Sequence, residues 1–129
     1  MSPDTQRAID LFDGTAYGLL SASMRALPFI AAAQHIVTPD GVLLRLHRGH
    51  GYHQACDGNV VAYATHGPLP DTGELWSAQV VGTARVVERP GGQELDLLGA
   101  PPARIDEDPF DPVYLRIEPQ IQIVHSIRP

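Results

Sequence analysis

Between Leu75 and Glu88 the chain alternates with little interruption: Trp76, Ala78, Val80, Ala84 and Val86 fall to one side, Ser77, Gln79, Thr83 and Arg85 to the other. A period of two sustained over that length describes a long strand with one buried face. Gly82 stands in its middle, and a glycine inside a strand predicts a bend or bulge of the kind closed barrels need where strands turn a corner. The chain is therefore directed towards a small antiparallel barrel.

The remaining segments agree. Asp4 to Phe12 has a polar start with Ala8, Ile9 and Phe12 at helical spacing, and Gly14 stops it, so a short amphipathic helix is expected. Ala16–Met24 and Pro28–Val37 read as two strands joined around Arg25–Leu27. The alanine-rich composition keeps a helix over Pro28–Gln34 as the alternative. Thr38-Pro39-Asp40-Gly41 is a turn that closes a hairpin onto Val42–His47. One helical turn is expected over Gly51–Cys56, ending at Asp57-Gly58. A strand follows over Asn59–His66, with Val60, Ala62 and Ala64 on one face. Pro90–Pro112 reads mostly as loop, with a short apolar run at Leu95–Leu98. Val113–Ile117 and Ile121–Ile127 read as two β segments separated by Glu118-Pro119. The expected fold is mainly β: a small antiparallel barrel with one or two short helices, residues 1–129 forming one domain of 129 residues with a single core.

Composition narrows the chemistry. All 9 basic residues are arginine, so there is no lysine for a Schiff base, for general catalysis or for a Walker-type phosphate loop. The formal charge of -6 and the lack of a basic stripe argue against nucleic acid as a partner. No apolar run reaches the roughly 20 residues that span a bilayer, and no secretory signal is read at the N-terminus. Cys56 is the lone cysteine, which excludes an internal disulfide and is compatible with a cytoplasmic location.

Against that acidic background, Val42–Gly67 (VLLRLHRGHGYHQACDGNVVAYATHG) holds Arg45, Arg48, His47, His50 and His53 around a glycine-loosened turn. Arginine offers planar paired donors and glycine admits close backbone N–H groups, so an anion, most naturally a phosphate, suits this turn. Arg45 lies in an apolar strand, where it either faces inward onto an anion or faces solvent and pairs with a carboxylate. His47, His50, His53 and Cys56 recur every three residues, a spacing that invites zinc or haem. Gly49 and Gly51 break the helix that would converge them, so no metal site is assigned and polar residues of a solvated turn are the simpler account. His35 and His66 end strands and read as surface or satisfied core histidines. Cys56 reads as a small buried hydrophobe, and Trp76 and Tyr63 as packing residues.

The order of these pieces resembles the pyridoxamine 5'-phosphate oxidase-like, FMN-binding split-barrel family. The similarity runs over roughly Ala8 to Ile127. It is carried by WSAQVVGTARVVE at Trp76–Glu88, by Leu43–Gly49 with the GNVVAYAT strand that follows, and by the closing VYLRIEPQIQIVHSI. The resemblance implies an FMN phosphate held by an arginine and a hydroxyl residue on this strand, with a Ser-Lys pair after the turn. Arg45 matches the strand arginine, and Leu46 stands at the hydroxyl position. Gly49 matches the turn glycine, His50 stands at the serine position and Gly51 at the lysine position; Arg48 is the candidate to replace the lysine charge. Sites of the family lie at a homodimer interface, which makes Trp76 and Gln79 candidates for contacts near the flavin ring. The implied function is a flavin-dependent oxidoreductase of unassigned substrate, with the deazaflavin F420 as a related cofactor. The departures from the phosphate motif leave two alternatives: a non-catalytic split barrel that has lost its flavin and binds another small ligand or a protein, or a haem- or metal-binding barrel.

Overall fold

The computed structural model describes residues 3–128. Six strands form one antiparallel sheet: β1 (Tyr17–Met24), β2 (Leu27–Thr38), β3 (Gly41–His47), β4 (Val60–Pro68), β5 (Leu75–Val87) and the C-terminal strand β8 (Pro112–Ile127). Their order is β1-β2-β3-β8-β5-β4, and the sheet closes on itself where β4 returns to β1. The closing pair is short, Leu19–Ser21 against Ala62–Ala64. The fold is thus the mainly β split barrel read from the sequence. Helix α1 (Pro3–Asp13), α2 (Tyr52–Cys56) and α3 (Gly92–Leu98) lie outside it, with a two-residue hairpin of β6 (Arg104–Ile105) and β7 (Asp108–Pro109).

The long strand β5 keeps the predicted alternation, with Trp76, Ala78, Val80 and Ala84 in the core. Its bulge falls between Val81 and Gly82. A Cβ on Gly82 would lie 1.9 Å from the carbonyl oxygen of Glu118, so only glycine lets the two strands meet there.

Two expectations change and one alternative is decided. Pro28–Val37 is strand as read, and the alternative helix over Pro28–Gln34 is not formed, because the barrel interior needs its small side chains. Ala33 and its partner Gly18 border the large buried Tyr63, whose hydroxyl would stand 2.6 Å from a Cβ on Gly18. Packing there overrides alanine's helical preference. The run at Leu95–Leu98 belongs to helix α3, whose start is secured by Glu94 Oε1 accepting the Gly91 N–H at 3.0 Å. Finally, Glu118-Pro119 does not divide the last strand. β8 passes through it, pairing Pro119 with Gly82 and Ile121 with Val81, so that Gln120 is the extra residue of the bulge. Val60, Ala62 and Ala64 do share a face of β4, and it is the outward one; Val61, Tyr63 and Thr65 are the buried set.

Candidate functional site

Every residue of β3 is buried. Val42, Leu44 and Leu46 enter the core, so Leu43, Arg45 and His47 point away from it. Arg45 and His47 are covered by residues 99–111. Arg45 is only 2% exposed, and its two terminal nitrogens both donate to the carbonyl oxygen of Gly99, at 3.1 and 2.7 Å. Its guanidinium carbon lies 5.9 Å from the centre of the Tyr114 ring, and among the described residues no carboxylate pairs with it. The Nε–H is buried with no acceptor. Neither sequence alternative describes this side chain: it faces outward from the barrel, yet is sealed from solvent by the segment it pins.

The other end of that segment is tied to the same turn. Asp111 N–H donates to His47 Nδ1 at 3.1 Å, and Arg48 N–H donates to the Asp111 carbonyl at 2.7 Å. The Arg48 side chain follows, with Nε 3.7 Å from the Asp111 carboxylate. Residues 99–111 therefore form a strap fastened at both ends by residues 45–48.

Between strap and barrel lies a cavity of about 300 Å³. Strands β1–β3 contribute Tyr17, Gln34 and Arg45; the turn and α2 contribute His50 and Tyr52; the strap contributes Phe110. A run of rings borders it: Tyr52 stacks on Phe29 at 4.5 Å, His50 lies 5.3 Å from Tyr52 and 4.9 Å from His47, and His47 lies 5.5 Å from Phe110. Gln34 is the cross-strand partner of Arg45. Its Nε2 donates to the Tyr17 hydroxyl at 3.4 Å, and its Oε1 is buried without a donor. Two residues that line the cavity, on neighbouring strands, thus keep one a buried donor and the other a buried acceptor without a partner. Such groups cost free energy until a ligand or water completes them.

The sequence-derived residues divide. Arg45, Leu46 and His50 line this cavity, Leu46 with its side chain in the core. Gly49 does not line it; a Cβ there would stand 2.5 Å from the His47 ring, so the glycine admits that imidazole. Arg48 points to Asp111 on the surface and is not among the lining residues. Trp76 faces the barrel interior and packs on Gly67. Gln79 lies on the outward face of β5, away from the cavity.

The histidine turn is less solvated than its composition implies. His47 and His53 are buried and His50 is exposed. Burial, aided by the Arg48 charge, holds the His53 imidazole below the ordinary histidine range. Among the described residues no group of three His, Cys, Asp or Glu side chains converges on a metal position. Cys56 is buried in the core, and burial raises its thiol to about 11, which keeps it unreactive. His35 is a satisfied core histidine, whereas His66 is exposed.

Sequence reading missed Gln34, Tyr52 and the strap. A glutamine interrupting an alanine-rich strand was the one signal for Gln34, and only the pairing with Arg45 gives it meaning. Also unanticipated is the outward face of β2-β1-β4-β5-β8. Registered rows cross it as Ala32–Leu19–Ala64–Gln79–Ile123 and Ile30–Ser21–Ala62–Val81–Ile121. Ile30 is 67% exposed and Ile121 54%. The face is largely apolar, interrupted by Ser21 and Gln79.

Solved structures with this fold include the FAD-binding protein from Mycobacterium smegmatis, with a TM-score of 0.74, 21% identity, and coverage of 99% of this chain and 98% of that one. The putative pyridoxamine 5'-phosphate oxidase from Corynebacterium glutamicum follows, with a TM-score of 0.72, 18% identity, and coverage of 100% and 97%. The FAD and heme binding protein from Mycobacterium smegmatis has a TM-score of 0.63 and 13% identity, covering 95% of this chain and 71% of that one. Comparison with curated proteins gives no match. The family model described as pyridoxamine 5'-phosphate oxidase matches residues 4–123, and with the barrel and its strand order in place, the chain belongs to that family.

Proposed function

We propose that the chain binds a flavin in the cavity between β1–β3 and the strap and works as a flavin-dependent oxidoreductase. The single observation that carries this reading is the buried, carboxylate-free Arg45 with its unused Nε–H, set in a ring-bordered cavity. Family membership, and the flavin-binding descriptions of proteins with this fold, support it. A bound flavin supplies hydride or electron transfer, and the protein supplies orientation and electrostatics. Arg45 and Gln34 position the ligand, the rings of His50 and Tyr52 flank it, and the strap excludes water.

The cavity is at the small end of ligand sites, which run from about 300 Å³ upward. A second copy of the chain enlarges it in this reading. Tyr17, Ile30 and Ala32 belong both to the cavity and to the apolar sheet face, so a homodimer formed through that face borders the open side of the site. Gln79 lies in the middle of the same face and reaches a flavin only from the second copy. A cytoplasmic location is part of the proposal; no helix of the described residues is long and apolar enough to cross a membrane.

Titration of the purified protein with FMN, FAD and F420, followed by fluorescence and thermal shift, tests the reading. One flavin per chain and turnover with a reductant are expected. Colourless protein with no response to any of the three refutes it in favour of a barrel that binds another ligand, and a Soret band with haemin alone turns the assignment to haem. Light scattering should give twice the chain mass, reverting to one on Val81→Asp.

A further inference from the structure

The cavity's two unfulfilled atoms specify more than a flavin in general. Arg45 Nε–H is a buried donor without an acceptor, and Gln34 Oε1 is a buried acceptor without a donor. The two residues are direct cross-strand partners on β3 and β2, and both line the cavity. Side chains in that relation lie about 5 Å apart at their Cβ atoms, close enough to act on one edge of one ligand.

A phosphate does not match this pair. It offers acceptors only, so it would leave Gln34 Oε1 facing negative oxygen. The arginines are also turned towards the strap: one N–H on each terminal nitrogen of Arg45 serves the Gly99 carbonyl, and Arg48 serves Asp111 and, at 3.4 Å, the Pro112 carbonyl. Gln34 Nε2 donates to the Tyr17 hydroxyl at 3.4 Å, which leaves Oε1 as the amide atom without a partner. A group with an N–H beside a C=O completes both atoms at once, the N–H donating to Gln34 Oε1 and the carbonyl accepting from Arg45 Nε.

We infer that Arg45 and Gln34 read a lactam or imide edge, so that in the flavin reading of this cavity they hold the pyrimidine-dione end of the ring and not the phosphate. This inference rests on that reading for its preferred ligand, but its chemistry is that of any planar imide. The turn expected from sequence to seat a phosphate then serves to fasten the strap.

The experiment measures affinity for riboflavin, N3-methylriboflavin, FMN and lumazine (a bicyclic imide that is not a flavin), with and without millimolar inorganic phosphate. N3-methylation is expected to weaken riboflavin at least about tenfold, the weight of one charge-assisted or buried hydrogen bond. FMN should bind within a few-fold of riboflavin, and phosphate should not compete. Gln34→Leu should abolish the discrimination against the methylated flavin, and Gln34→Glu, which retains an acceptor, should restore it. Equal binding of the two riboflavins, or phosphate-competed FMN binding far above riboflavin, overturns the inference and leaves flavin binding intact. Lumazine binding without flavin binding does the reverse: the edge stands and the flavin falls. Binding of neither overturns the inference.

Discussion

Two buried polar clusters lie on opposite sides of the same sheet, and they are built differently. Inside the barrel, His35 is complete. Its Nε2–H donates to the Phe12 carbonyl at 2.8 Å, with Thr15 Oγ1 3.2 Å away, and its Nδ1 meets the Tyr63 hydroxyl. The single Tyr63 hydroxyl proton is shared between His35 Nδ1 and the Ala33 carbonyl, 3.1 Å away. Phe12 closes the group, its ring stacked on Tyr63 at 5.8 Å and edge-on to His35 at 5.5 Å. Outside the barrel, Arg45 and Gln34 each retain an unused buried atom. A finished network joins helix α1 to the barrel and gives the fold a specific docking geometry. An unfinished one holds free energy that a ligand recovers. Completeness, not burial, separates the structural cluster from the one proposed to bind a ligand.

The largest test of this contrast removes the keystone of the inner cluster. Phe12→Ala should cost about 3–5 kcal/mol of stability, read from the urea midpoint, because it opens a cavity beneath α1. Arg45→Met should do the opposite kind of damage: flavin affinity down about 10- to 100-fold, for loss of a charged donor, with a smaller change in melting temperature. Equal effects of the two substitutions on binding and stability would break the comparison. Tyr63→Phe should cost about 1–3 kcal/mol by leaving His35 Nδ1 unsatisfied, with ligand affinity unchanged.

The pH dependence follows from the same cluster. Burial holds the His35 imidazole below its ordinary value of 6.5, against the raising effects of the Phe12 and Thr15 contacts and the nearby Asp13 charge. Below about pH 6.5 the unfolded chain takes up a proton that the folded one resists, so stability is full above that pH and declines as pH falls. His35→Gln should flatten this part of the urea-midpoint profile between pH 7.5 and 5; an unchanged slope would assign the acid sensitivity elsewhere. Thr15→Val is the smallest test, about 0.5–1.5 kcal/mol for one partly buried hydrogen bond.

Period-two patterning made β5 and its corner legible in the sequence, since Gly82 had a steric duty that no other residue performs. The turn at Thr38–Gly41 was legible for the same reason, its Gly41 having a φ of 133°. Local chemistry ran out where long-range packing decides. Pro28–Gln34 is a strand because Tyr63 needs small neighbours, and β8 stays whole because Gly82 lies across from Pro119. The site was legible as a place. Arg45 and His50 do line one cavity, but what the cavity offers depends on where Gly99, Asp111 and Gln34 put their own hydrogen bonds. Composition could not reveal that, because a cation spent on a backbone carbonyl looks identical in sequence to one awaiting an anion.

Strand β8 is hydrogen-bonded to β3 on one side and to β5 on the other. It is therefore the piece that joins the two halves of the barrel, and the ribosome delivers it after all the others. At roughly 5–20 residues per second, about one to five seconds pass between the end of β5 and the start of β8. Throughout that interval β3 and β5 are both open sheet edges, the latter carrying Val80 and Val81, and both can recruit foreign strands. The nascent chain should thus depend most on chaperone cover just before its final strand is made, and strain or heat that slows elongation there should lower yield without altering the finished protein.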